Sequence, residues 1–214
     1  QQAKGAFWVQ SRSEDGEKWI VVIDRVTEPS SAFLYEPKAK RLTKLYTARP
    51  ELEGAPLVPM SAREIKSRDG MTLVSYLSMP KGSLTKPDGK ASKPVPMVLL
   101  VHGGPWGRDG YGYNSIHQWL ANRGYAVLSV NYRGSTGFGK SFLNAAKREF
   151  AGKMHDDLLD AVNWAVKEGV AQRDKVAIMG GSYGGYATLV GLTFTPDVFA
   201  CGVCVVGPSN LETL

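Results

Sequence analysis

Length, composition and charge limit what this 214-residue chain can be. With 43% hydrophobic and 21% charged residues, it has the composition of a packed globular protein, which excludes a disordered or low-complexity chain. No uninterrupted apolar stretch is long enough to span a bilayer, so we expect no membrane-spanning helix. The formal net charge of +6 does not indicate nucleic-acid binding, because the lysines cluster in residues 81–93, which we predict to be a solvated surface loop.

The first part of the chain has the pattern of short antiparallel strands. Four strand-like runs alternate with turn-forming clusters before about residue 52, at residues 6–10, 18–23, 32–35 and 41–46. Four such strands within about forty residues form either one blade of a β-propeller or a generic β-meander.

From about residue 62 the pattern changes to strands that alternate with helices. A hairpin at 63–66 and 72–77 comes first. The later predicted strands are 96–101, 125–130, 176–179 and 199–206, and the predicted helices are 115–122, 156–167 and one from Tyr186. This alternation predicts an α/β fold with a mostly parallel sheet, in which residues 199–206 form the sixth strand.

The most informative motif lies where the strand at 176–179 gives way to a helix. Residues 180–184 contain G-x-S-x-G, the pattern of the nucleophile elbow of α/β-hydrolases. In an elbow the serine, here Ser182, has a strained backbone, and Gly180 and Gly184 prevent collisions where the helix crosses the strand. The motif predicts a nucleophilic hydroxyl at the carboxyl edge of the sheet, although alone it also suits a glycine-rich turn with an incidental serine.

A second glycine-rich segment, at 102–105, directly follows the strand at 96–101. In α/β-hydrolases the loop after this strand donates one backbone N–H to the oxyanion hole, and the residue after the nucleophile donates the other. Glycine suits this loop because the backbone itself must approach the oxyanion. We interpret His102 as a residue that packs in or orients the loop. A catalytic base so early would break the chain order Ser, Asp/Glu, His of this fold.

We interpret the cysteines, His117 and the acidic pair beside His155 as structural and not catalytic. Cys201 and Cys204 have C-x-x-C spacing, but residues three apart on a strand point to opposite faces, so we predict buried free thiols. His117 is predicted to lie on a helix, at the surface or the edge of the site. The acidic pair at 156–157, next to His155, is predicted to cap a helix N-terminus. We predict no cofactor and no metal site.

Three segments in order carry a family resemblance. They are HGGP at 102–105, NYRGSTGFG at 131–139 and GGSYGGY at 180–186. Together they resemble the prolyl oligopeptidase family of serine peptidases, on its acylaminoacyl-peptidase and dipeptidyl-peptidase side, and the match extends over essentially the whole chain. We interpret 131–139 as a family marker that shapes the site without a catalytic step.

The resemblance implies site residues and a substrate class. Ser182 would be the nucleophile, and the backbone N–H groups of Gly104 and Tyr183 would be the oxyanion donors. The substrate would be a peptide, with acylaminoacyl, dipeptidyl and oligopeptide cleavage all left open.

The resemblance also implies a domain organisation. Residues 1–52 would be the terminal blade of a β-propeller, and residues 53–214 the N-terminal part of an α/β-hydrolase domain, truncated after about the sixth strand. The rest of the propeller is expected upstream, and two more strands downstream. No histidine follows Ser182, so the catalytic Asp and His are expected in that downstream part. The 214 residues alone are predicted to be inactive and prone to aggregation.

Two alternatives remain open. One is a carboxylesterase or lipase-like acyl hydrolase that shares the elbow, and the other is a non-catalytic interaction protein that keeps a propeller and a hydrolase scaffold. The sequence indicates neither the oligomeric state nor the compartment.

Overall fold

The computed structural model describes residues 5–83 and 93–212. Its first unit is a four-stranded antiparallel sheet in which the strands pair in chain order. The strands are β1 (Ala6–Arg12), β2 (Trp19–Asp24), β3 (Ser31–Glu36) and β4 (Arg41–Thr47). Val21, Ile23 and Phe33 form a small buried cluster on one face, as the alternation of apolar residues in β2 dictates. The four predicted strands are confirmed.

A 3₁₀ turn at Pro50–Leu52 and an extended connection lead to a six-stranded sheet. Its strands are β5 (Met60–Lys66), β6 (Thr72–Ser78), β7 (Val95–Val101), β8 (Ala126–Val130), β9 (Ala171–Gly181) and β10 (Cys201–Val205). The order across the sheet is β10-β9-β7-β8-β6-β5. Strands β8, β7, β9 and β10 are mutually parallel, whereas β6 pairs antiparallel with β5 and β8. The predicted, mostly parallel sheet is confirmed.

The described residues form four α-helices around this sheet: α1 (Ser115–Asn122), α2 (Lys140–Asn144), α3 (Lys153–Lys167) and α4 (Tyr183–Phe194). Helix α1 has the predicted bounds and is capped by Asn114, whose Oδ1 accepts N–H groups of the first turn. Helix α3 begins earlier than predicted, and α4 begins directly after Ser182. The short α2 was not predicted, because five residues show little periodicity.

Helices cover both faces of the sheet, and the alternation of side chains along β7 separates the two cores. Met97 and Leu99 point to one side, where they belong to the main core with Leu158 of α3. Val98 and Leu100 form a smaller cluster with residues of α1 on the other side. Because β7 is buried on both faces, it reads as a continuous apolar run in the sequence.

Two burial predictions are wrong. His117 lies on the inner face of α1 and is almost fully buried, with ring nitrogens 3.0 Å from Ser78 Oγ and 2.8 Å from Ser129 Oγ. Serines on β6 and β8 therefore satisfy a histidine that we expected at the surface. Cys201 and Cys204 are free but exposed, because β10 is the edge strand of the described sheet.

Two further expectations from the sequence concern the surface and the membrane. The lysine-rich stretch at 81–93 falls mostly at 84–92, outside the described residues. Within the described ranges, no helix combines the length and apolar character needed to cross a bilayer.

Candidate active site

Ser182 occupies a sharp turn between β9 and α4. Its backbone has φ 55° and ψ −119°, a region that costs energy for any residue other than glycine. Its N–H donates to the carbonyl of Val205 at 3.0 Å, and its carbonyl accepts the N–H of Tyr186 at 3.0 Å. The residue is exposed although the first turns of α4 behind it are buried. The fold thus presents the hydroxyl at the carboxyl edge of the sheet.

Two glycines make this turn sterically possible. A Cβ atom added to Gly184 would lie 2.1 Å from the carbonyl oxygen of Val101. One added to Gly180 would lie 2.6 Å from that oxygen and 2.6 Å from the carbonyl of Gly184. Because the neighbours are backbone atoms of β7 and α4, no side-chain rearrangement could relieve the overlap.

The loop after β7 runs against the elbow. A Cβ atom added to Gly103 would lie 3.3 Å from the Cβ of Ser182 and 3.0 Å from the carbonyl oxygen of Gly181. The next residue, Gly104, is exposed and has φ 127°, which a side chain would disfavour. The structure therefore brings the two glycine-rich motifs together, as expected from parallel neighbouring strands that end at one edge.

His102 contacts its own loop and the segment at 131–139. Its Nδ1 lies 2.8 Å from the carbonyl oxygen of Gly103, and its Nε2 lies 2.9 Å from Ser135 Oγ. Its ring stacks on Tyr132 with centroids 4.4 Å apart. Burial lowers the pKa of His102, which favours the neutral imidazole. These contacts are those of a residue that orients the loop.

The segment at 131–139 is held by a buried ion pair that the sequence did not reveal. The Arg133 guanidinium donates to Asp157 at 2.7 and 2.9 Å and to Asp69 at 2.9 Å. Asp157 therefore does not cap α3, and its neighbour Asp156 pairs with Arg68 at 2.8 Å. The prediction of helix capping is wrong because α3 begins before these residues, at Lys153.

A buried carboxyl group also lies beside this segment. The Asp109 backbone N–H donates to Asn131 Oδ1 at 2.8 Å, while Asp109 Oδ2 is buried without a hydrogen-bond partner. Burial raises the pKa of Asp109 to about 7. Sequence reasoning missed Asp109, and its position shortly after the HGGP segment was the available signal.

None of the three histidines hydrogen-bonds to Ser182. His102 and His117 use both ring nitrogens elsewhere, and His155 Nε2 lies 3.0 Å from Thr195 Oγ1. In the described part of the chain, no group of three or more His, Cys, Asp or Glu side chains is arranged to hold a metal ion.

A serine on a strained strand–helix elbow, beside a glycine loop at the carboxyl edge of a sheet ordered β5-β6-β8-β7-β9-β10, defines an α/β-hydrolase. The sequence model of the Prolyl oligopeptidase family matches residues 111–214. Similarity to two dipeptidyl peptidases extends over 98% of the chain. Residues 111–214 belong to the prolyl oligopeptidase family.

Similar proteins include peptidases from bacteria, animals and archaea. The chain is 65% identical to dipeptidyl aminopeptidase BIII of Pseudoxanthomonas mexicana and 47% identical to dipeptidyl peptidase family member 6 of Caenorhabditis elegans, in both cases over 98% of this chain and 30% of the relative. The acylaminoacyl peptidase of Pyrococcus horikoshii superposes with a TM-score of 0.77 at 27% identity, over 97% of this chain and 32% of that chain. The chain thus spans about 30% of the length of these two curated relatives.

Proposed function

We propose that the full-length protein is a serine peptidase that hydrolyses peptide bonds through an acyl-enzyme on Ser182. The juxtaposition of the elbow with the glycine loop carries this proposal, because it places an exposed hydroxyl beside backbone that can bind an oxyanion. Family membership supports peptides as the substrate class.

In the proposed mechanism, Ser182 Oγ attacks the scissile carbonyl carbon and loses its proton to a histidine. The carbonyl oxygen becomes an oxyanion, which accepts hydrogen bonds from the N–H groups of Gly104 and Tyr183. The histidine gives this proton to the leaving nitrogen as the intermediate collapses and expels the amine, and water then hydrolyses the acyl-enzyme. The histidine and the carboxylate that orients it would lie outside these 214 residues, since none of the three histidines here is bonded to Ser182.

The dipeptidyl reaction is the best supported of the possible peptidase activities. The two relatives named for dipeptidyl cleavage are 65% and 47% identical to this chain, whereas those named acylamino-acid-releasing enzymes are 30–34% identical. We therefore propose release of dipeptides from free peptide N-termini.

We also propose that residues 1–52 form the terminal blade of a β-propeller and that residues 53–214 begin the catalytic domain. The outer strands of the first sheet expose large apolar side chains, among them Phe7 on β1 and Tyr46 on β4. One blade cannot bury such residues alone, and neighbouring blades would cover them.

The test is active-site labelling and turnover in the full-length protein. We expect a fluorophosphonate probe to label Ser182, and Ser182→Ala to abolish both labelling and release of a fluorophore from dipeptidyl amides. The 214 residues alone should show little turnover, because the serine would lack its base. An unlabelled full-length protein would overturn the proposal, and cleavage of esters but not peptides would favour a carboxylesterase.

A further inference from the structure

One aromatic ring lies between the two segments that flank the proposed oxyanion site. Tyr132 is fully buried, and its ring stacks on His102 with centroids 4.4 Å apart and planes 16° apart. On its other side lies the ring of Tyr183, at 5.3 Å and 30°. His102 precedes the glycine loop and Tyr183 follows Ser182, so the Tyr132 ring occupies the space that separates these two pieces of backbone.

The hydroxyl of Tyr132 ties the ring to the glycine loop. It donates to the carbonyl oxygen of His102 at 2.8 Å. Burial raises the pKa of Tyr132 far above its usual value, so the hydroxyl stays protonated and remains a donor. The peptide that joins His102 to Gly103 is therefore held by a side chain from a different loop.

A second set of contacts links the same loop to the segment at 131–139. Ser135 Oγ lies 2.9 Å from His102 Nε2 and 2.7 Å from the carbonyl oxygen of Tyr132, while His102 Nδ1 lies 2.8 Å from the carbonyl oxygen of Gly103. Two consecutive carbonyl groups, those of residues 102 and 103, are thus fixed by contacts that depend on the segment at 131–139.

Tyr132 itself is firmly placed. The next residue, Arg133, is almost fully buried and forms the ion pair with Asp157, and its own backbone N–H also donates to Asp157 at 2.8 Å. On the preceding side, Asn131 donates to the carbonyl of Val74 at 2.9 Å. Hydrogen bonds on both sides of Tyr132 in the sequence therefore anchor it to β6 and α3.

We propose that Tyr132 is a positioning residue for the oxyanion hole, an inference that rests on the proposed function. Its ring sets the spacing between the N–H donors of Gly104 and Tyr183, and its hydroxyl fixes the orientation of the peptides that lead to Gly104. An oxyanion donor acts mainly on the transition state, so misplacing one lowers kcat more than it raises KM.

The experiment compares Tyr132→Phe with the wild type in the full-length protein. This change keeps the ring and removes the hydroxyl. Complete removal of one oxyanion donor lowers kcat by about 10²–10³-fold, so we expect a misplaced donor to lower it by about 10–100-fold, with KM changed less than about threefold. The inhibition constant of a peptide aldehyde, whose hemiacetal oxygen occupies the oxyanion hole, should rise in parallel with the loss of kcat.

Tyr125→Phe is the matched control. Tyr125 precedes the amino end of β8, whereas Tyr132 follows its carboxyl end, and Tyr125 is 38% exposed. We expect this variant to keep wild-type kcat and aldehyde inhibition. Titration with a fluorophosphonate counts competent sites, so kcat can be given per folded enzyme even where Tyr132→Phe lowers the folded fraction.

The outcomes separate the two proposals. A wild type that turns over and labels at Ser182, with a Tyr132→Phe variant of unchanged kcat and aldehyde inhibition, would overturn the positioning role alone. A rise in KM at constant kcat would also overturn the positioning role, because it would show that Tyr132 contributes to substrate binding and not to transition-state stabilisation. A wild type that neither labels nor turns over would overturn the proposed function, and the positioning role with it.

Discussion

At the scale of single residues, the strain at Ser182 and the glycines around it form one steric unit. The positive φ of Ser182 turns the chain from β9 into α4 within one residue, which brings the backbone of α4 onto the end of β7. Without side chains at 180 and 184, this contact is made by backbone atoms alone. The turn holds the serine in a conformation that an isolated peptide would avoid, as is typical of functional sites.

His117 gives a pH dependence of stability that is independent of catalysis. Burial lowers the pKa of His117 to about 4, compared with 6.5 in the unfolded chain. The unfolded chain therefore binds more protons between these values, and the stability contributed by His117 is lost as the pH falls below 6.5. By pH 5 we expect a loss of about 2 kcal/mol in the free energy of unfolding.

The measurement is urea unfolding of the full-length wild type and of His117→Gln between pH 7.5 and 5. Glutamine cannot titrate. Between pH 7.5 and pH 5 the free energy of unfolding of the variant should therefore fall by about 2 kcal/mol less than that of the wild type, whatever the stability of the variant at pH 7.5. Parallel pH profiles in the two proteins would contradict the assignment of a buried neutral imidazole.

At the scale of elements, the sequence predicted those whose pattern is local. The strands β7 and β8 were found because they are apolar along their length, and α1 because its periodicity and its N-cap are adjacent in sequence. Helix α2 was missed because it is short. The sequence correctly placed Cys201 and Cys204 on a strand. Their exposure depends on the position of β10 at the edge of the sheet, and the sequence of one strand does not encode that position.

The candidate site divides in the same way. The elbow and the HGGP loop are contiguous motifs, so their residues could be named from the sequence, whereas their packing around Tyr132 could not. The partners of Arg133 lie 24 and 64 positions away in the chain, and only the fold brings them together. The motif at 131–139 identified a segment that contacts the site, but it did not reveal the contacts of that segment with the glycine loop.

The buried ion pair of Arg133 should be the main anchor between this segment and α3. Hydrogen bonds from Arg133 to Asp157 raise the pKa of the arginine, so the guanidinium stays charged. Arg133→Met would leave the fully buried Asp157 carboxylate without its partner, which typically costs about 3–5 kcal/mol. We expect a loss of that size in the free energy of unfolding, measured by urea denaturation of the full-length protein.

Arg68→Met is the control for this prediction. Arg68 also pairs with two aspartates, Asp156 and Asp160, but half of its side chain is exposed, so its loss should cost about 0–1 kcal/mol. The double variant Arg133→Met/Asp157→Leu should recover stability relative to Arg133→Met alone, because no buried charge remains. Equal losses for Arg133→Met and Arg68→Met would show that burial does not govern this network.

At the scale of the whole molecule, the first sheet and the α/β unit meet through an apolar cluster and through polar contacts to backbone. The apolar cluster consists of Val26, Met60 and Tyr76. The Asp24 carboxylate, at the end of β2, accepts the N–H of Tyr113 with both oxygens at 2.9 Å. Gln118 of α1 donates to the carbonyls of Val26 and Val58 and accepts the N–H of Val58 at 2.8 Å. One buried glutamine therefore joins the first sheet, the connection and the α/β unit.

Gln118→Leu should weaken this junction while it preserves the size and helix propensity of the side chain. Three buried backbone groups, at Val26 and Val58, would lose their partner, which we expect to lower the free energy of unfolding by about 2–4 kcal/mol. Thermolysin should also cleave the connection at 48–59 faster in the variant, because local opening there becomes easier. Gln172→Leu is the control, since Gln172 makes one bond, to the carbonyl of Pro94, at an exposed site. If both variants unfold and are cleaved like the wild type, then Gln118 fills space without joining the two units, and Asp24 becomes the side chain to test next.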